Sequence, residues 1–141
     1  MRKIERIFVH CTASPQSWGV EELKQEFKNK GWTNPGYHYI ITKDGGVHQM
    51  LPVEEVSNGV KGYNSTSVNV AYVGGIDSKG NGVDNRTPDQ KLSLRETLMF
   101  LKSRFPEAKI MGHRSIWGEE TPSKWQKLCP CFNAIEEYRD I

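Results

Sequence analysis

Four histidines and three cysteines hold most of the chemistry available to this chain. Cys129 and Cys131 are separated by a single proline in the stretch KLCPCF, residues 127–132. Three cysteines are an odd number and too few for a disulfide scaffold. A bridge across one proline would be strained, because disulfide geometry is narrow. Free thiols or a thiolate ligand, made in a reducing compartment, are therefore expected. His10 and His113 each fall at the C-terminal end of a predicted strand, where α/β sheets gather their ligand sites. Each is followed by a loop-like stretch, residues 11–17 and 114–124. Two imidazoles and one thiolate make a three-ligand zinc set with a fourth position open to water, the pattern of a catalytic rather than a structural site. The three residues are far apart in sequence, so spacing alone equally allows ordinary hydrogen-bonded histidines. No HExxH, glycine-rich phosphate loop or GxSxG elbow is present.

Strand geometry narrows the choice, since neighbouring side chains point to opposite faces. If His10 faces a site, Cys11 faces away and packs as a small hydrophobe. The same alternation separates His38 from Tyr37, so these two are not expected to face one site.

The elements that would position these groups can be read from local pattern. IERIFVHCTA is β-rich and reads as a buried strand. VEELKQEFKNKGW places Val20, Leu23 and Phe27 on one helical face, with Gly31 as its stop. GYHYIITKDGGVHQML reads as two strands joined at Asp44-Gly45-Gly46. SVNVAYVGGI is a further buried strand. In TPDQKLSLRETLMFLKSRF, Thr87 is an N-cap, Pro88 suits the first turn and Gln90 completes a capping box. Leu94, Leu98, Leu101 and Phe105 form the apolar stripe of that helix. AKIMGH is a short strand delivering His113, and a last helix is capped by Asn133. The order β-α-β-β-β-α-β-α predicts an α/β fold, a central mixed sheet flanked by helices.

At 141 residues the chain fits one domain, 1–141, with a core that needs no staples. Its 19 Lys and Arg against 17 Asp and Glu give a net charge of +2, with no basic block to neutralise phosphates. Nucleic acid is therefore not an expected partner. No stretch has the apolar core of a signal peptide or the length of a membrane span. Cytoplasmic synthesis without a membrane partner is the expectation.

IFVHCTAS, GWTNPGYHYII, KDGGV, KGYN, VGGIDSKG, TPDQ, GHR and CPCF occur in an order that resembles the zinc-dependent N-acetylmuramoyl-L-alanine amidases. The likeness is nearest to the lysozyme-type amidases of T-odd bacteriophages, whose fold peptidoglycan recognition proteins share. It runs from about residue 5 to residue 138. It implies one zinc ion per chain held by His10, His113 and Cys129, with Tyr37 and Lys127 as catalytic residues. The implied activity is hydrolysis of the amide between N-acetylmuramic acid and L-alanine, on a cell wall reached after release from the cytoplasm. Bacterial peptidoglycan would be the partner, and the chain a monomer. Trp117, Trp125 and Asn64 are candidate substrate contacts, because aromatic faces suit sugar rings. Cys131 stands where a Ser or Gly is usual, and reads as a passive substitute. Gly59 stands where many relatives carry a histidine, which puts one substrate contact in question. The alternative is a peptidoglycan-binding module of the same fold without catalysis, although such modules characteristically lack the cysteine ligand.

Overall fold

The computed structural model describes residues 2–141. Its elements are β1 (Arg6–Cys11), α1 (Val20–Asn29), β2 (Tyr39–Ile41), β3 (Val47–Gln49), β4 (Ser67–Tyr72), α2 (Pro88–Arg104), β5 (Lys109–Gly112) and α3 (Ala134–Glu137). Short 3₁₀ turns lie at Asn64–Thr66, His113–Trp117 and Pro122–Lys124. The sheet order is β3-β2-β4-β1-β5. β1 runs parallel to β4 and β5, β2 runs parallel to β4, and only the β2–β3 hairpin is antiparallel.

Helices cover both faces, which is why β1 and β4 are buried nearly end to end instead of alternating with solvent. On one face Ile7, Val9, Cys11, Val68, Val70 and Tyr72 pack against Leu94, Leu98 and Leu101 of α2 and against Ala134 and Tyr138. On the other, Ile40 and Val73 meet Leu23 and Phe27 of α1. Cys11 therefore points to the α2 side, as the alternation with His10 requires.

Local signals set the ends of the elements. The Thr87 hydroxyl accepts from the Gln90 backbone N–H, and the Gln90 carboxamide accepts from the Thr87 backbone N–H. Such a cap is worth about 1 kcal/mol. The Gln90 amide also donates to Ile41 O and Val73 O, so the cap of α2 stitches β2 to the end of β4. Gly45 takes φ 86° in the hairpin, a left-handed conformation that suits glycine. Asn133 caps α3 by accepting from the Glu136 N–H. No helix among the described residues is long and apolar enough to cross a membrane.

Candidate functional site

The parallel register brings the two distant histidines together. Val9 of β1 pairs with Gly112 of β5, so the next residues, His10 and His113, emerge side by side. Their rings meet edge to face at 5.1 Å between centroids. Cys129 arrives from the loop before α3. That loop is pinned by the Arg114 N–H donating to Cys129 O (2.9 Å) and by the Tyr72 hydroxyl donating to Pro130 O (2.6 Å). The Cys11 backbone N–H points at Cys129 Sγ from 3.2 Å. His10 Nδ1 lies 3.7 Å from the same sulfur.

Donor atoms of His10, His113 and Cys129 all lie within 4.8 Å of one another, and these residues form a group that could hold a metal ion. The donor set fits an open zinc site, which takes neutral imidazoles and a thiolate. Burial keeps both imidazoles unprotonated: His10 is lowered to about 4 and His113 to about 3. The Lys127 charge pushes both in the same direction, and His10 adds to the effect on His113.

Around this group opens a cleft of about 200 Å³, lined also by Tyr37, Lys127 and one side of α1. The Tyr37 ring packs 5.1 Å from His10, and its hydroxyl is 3.4 Å from Cys11 O. Burial, reinforced by Cys129, raises the Tyr37 phenol well above its ordinary value, so it keeps its proton. Lys127 is exposed at the rim.

The structure thus brings His10, Tyr37, His113, Lys127 and Cys129 to one cleft and places Asn64, Trp117 and Trp125 outside its lining. Asn64 Oδ1 accepts from the Gly59 and Val60 N–H groups, holding the loop that forms one wall. Trp117 stacks on the His113 ring at 5.6 Å. Trp125 lies under the Arg114 guanidinium at 4.0 Å and donates its indole N–H to Gly118 O. The tryptophan that lines the cleft is Trp32, stacked on Phe27. Beside it are Glu26 and Lys30, paired at 3.5 Å one helical turn apart. Sequence reading assigned α1 only a core stripe and missed this charged flank; the signal was Glu26 and Lys30 bracketing buried Phe27.

Behind the cleft stand Asn69, which the sequence reading missed, and His38, which it sets apart from the Tyr37 side. Asn69 is fully buried in β4 and lies 2.8 Å from His10 Nε2 through its Oδ1. His38 is fully buried behind it and accepts the Asn69 backbone N–H at Nδ1.

A family model described as N-acetylmuramoyl-L-alanine amidase matches residues 1–132. The endolysin of Klebsiella phage KP32 is 44% identical over 124 residues, 86% of this chain and 82% of its own length. The endolysin of Escherichia phage T7 is 40% identical over 121 residues, 84% of this chain and 80% of its own. Among solved structures, the Ph2119 endolysin from a Thermus scotoductus bacteriophage superposes with a TM-score of 0.73 at 28% identity, covering 92% of this chain and 79% of that one. The fold is also that of the amidase LysC from Clostridium intestinale URNW, with a TM-score of 0.78 at 23% identity, covering 99% and 85%.

Proposed function

The chain belongs to the N-acetylmuramoyl-L-alanine amidase family and is a peptidoglycan amidase akin to phage endolysins, and from that premise we propose that it works with one zinc ion held by His10, His113 and Cys129 while Tyr37 and Lys127 act on the substrate. The observation that carries this reading is the convergence of those donors on the floor of a cleft that Tyr37 and Lys127 also line. The bond cut is the amide joining the lactyl group of N-acetylmuramic acid to L-alanine. An amide is a poor electrophile and water a poor nucleophile. Zinc, when bound, supplies Lewis acidity to both the water and the carbonyl oxygen.

The protein's own groups do the rest. The Cys129 thiolate with two neutral imidazoles leaves one net positive charge at the site. Lys127 donates to the oxygen that becomes negative as the carbonyl is attacked. Tyr37, kept protonated by burial, orients the attacking water and relays the proton that water sheds to the departing L-alanine amine, its own hydroxyl proton being replaced in the same transfer. The aromatic wall of Phe27 and Trp32 gives the sugar or the peptide an apolar face to lie on.

Purified peptidoglycan digested with and without a zinc chelator tests this, with products identified by mass spectrometry. Stem peptides with a free L-alanine amine, appearing only without chelator, are the expected products. Intact wall from folded, zinc-loaded protein would instead indicate a binding module. Lys127→Met is expected to lower kcat by about 10²–10³-fold, the size of losing one oxyanion donor. Tyr37→Phe is expected to lower it by ~10²-fold or more. Zinc content should stay unchanged in both. Full turnover by Tyr37→Phe would remove that residue from the mechanism.

A further inference from the structure

We infer that Asn69 is the positioning residue for His10, and that residue 59 is glycine because the Asn69 carboxamide occupies the space its side chain would need. Phe8 of β1 pairs with Asn69 of β4, so Asn69 and His10, two residues beyond Phe8, stand on the same face of the sheet. Asn69 Oδ1 is an acceptor only, so the 2.8 Å contact requires a proton on His10 Nε2. That leaves the Nδ1 lone pair free on the side of Cys129 Sγ. The buried carboxamide selects the tautomer that can coordinate, and holds the ring in its plane.

The carboxamide is itself fixed from behind. Its Nδ2 donates to Ser57 Oγ at 2.8 Å. The Ser57 hydroxyl then has its proton free for His38 Nδ1, 3.1 Å away. His38 Nε2 donates to Glu55 O at 2.8 Å. The contacts run from His10 to the backbone at Glu55, with the Asn69 backbone N–H also donating to His38 Nδ1 and the Arg2 guanidinium 3.1 Å from His38 Nε2. With Nδ1 turned to the metal position, His10 Nε2 carries the proton, and a flipped carboxamide would set its N–H₂ against it. Among the described residues no buried side-chain nitrogen or oxygen lacks a partner.

Gly59 completes the arrangement. A Cβ placed there would overlap the Asn69 carboxamide at Cγ, Oδ1 and Nδ2. The Gly59 backbone is not in the left-handed region, so an alanine there meets no backbone strain, only Asn69. Residue 59 and residue 69 therefore share one volume, and only one of them can send a side chain into it.

The inference deepens the zinc reading, and its test is made first on metal-free protein so that the two can fail separately. Imidazole ¹⁵N chemical shifts report the His10 tautomer, with circular dichroism as the check on folding. Wild type should show the proton on Nε2. Asn69→Leu should lose that preference, while Asn69→Asp, which still accepts at the same place, should keep it. Zinc affinity measured by competition with a chromophoric chelator should fall about 10–100-fold in Asn69→Leu, the usual effect of removing such a partner. Gly59→Ala should weaken zinc binding in the wild-type background by displacing Asn69. The same alanine should have no effect in an Asn69→Gly background, a non-additive pair. An unchanged His10 tautomer in folded Asn69→Leu overturns the positioning role. Additive losses for Gly59→Ala and Asn69→Gly overturn the shared volume. Wild-type tautomer behaviour without zinc binding would leave Asn69 in place and remove the zinc reading instead.

Discussion

Cys129→Ser is expected to lose zinc and turnover together, whereas Cys131→Ser is expected to keep both. A serine hydroxyl at 129 stays protonated at neutral pH and is a hard, weak ligand, so the site loses its one anionic donor. Loss of the metal's contribution to transition-state stabilisation corresponds to roughly 10³-fold or more in kcat. Cys131 is placed differently although it is only two residues away. It has a left-handed backbone, with φ 73°, and its side chain packs against the core without lining the cleft. Its Sγ lies 3.5 Å from Gly75 O, and hydrogen bonding with the Cys11 thiol pushes its pKa up, so it remains a neutral thiol. Cys11 is held protonated in the same way, raised to about 12 by its hydrogen bond with Cys129 above all. A serine at 131 can donate to the same Gly75 carbonyl. Metal content by atomic absorption, alongside peptidoglycan digestion, reads both variants. Equal loss of zinc in the two would sink the ligand assignment.

What the sequence made legible was local. The capping box at Thr87 and Gln90, the hairpin at Asp44-Gly45-Gly46 and the Asn133 cap each depend on residues within one turn, and each was read correctly. The alternation along β1 correctly sent Cys11 to the core. The 3₁₀ turns at His113–Trp117 and Pro122–Lys124 read as loop, because a single i,i+3 turn leaves no periodicity to detect. The metal group is a product of sheet register over more than a hundred residues, and spacing alone left it open. Asn69 was hidden because VNVAY reads as one more buried strand. Its signal is the lone carboxamide itself: a buried Asn between valines must have a hydrogen-bond partner. Gly59 read as a missing side chain, whereas the structure shows its space filled by Asn69 of β4.

Metal-free protein should lose stability steeply as pH falls from about 6.5 to 4, the second large effect expected. Three histidines are buried without charge. Burial is the leading cause in each, taking His10 and His38 to about 4 and His113 to about 3. In the unfolded chain all three return to about 6.5. Below that value the unfolded state binds protons that the folded state refuses, so stability falls as pH falls. The contribution is complete above pH ~6.5 and is lost as pH drops through the folded-state values. The shifts of His10 and His38 are each worth roughly 3 kcal/mol and that of His113 roughly 5 kcal/mol. The contributions of His10 and His113 overlap because they are neighbours. Even so, the sum is comparable to a whole domain's stability of about 5–15 kcal/mol. Zinc, which needs both imidazoles unprotonated, should displace the loss to lower pH. Urea midpoints followed by circular dichroism from pH 7.5 to 4, with and without chelator, measure this directly. A midpoint that stays flat across that window in chelated protein would show that the histidines can take up protons in the folded state. His38→Gln removes one titrating group outside the metal set, so it should flatten the slope in chelated protein and leave the zinc-dependent displacement in place.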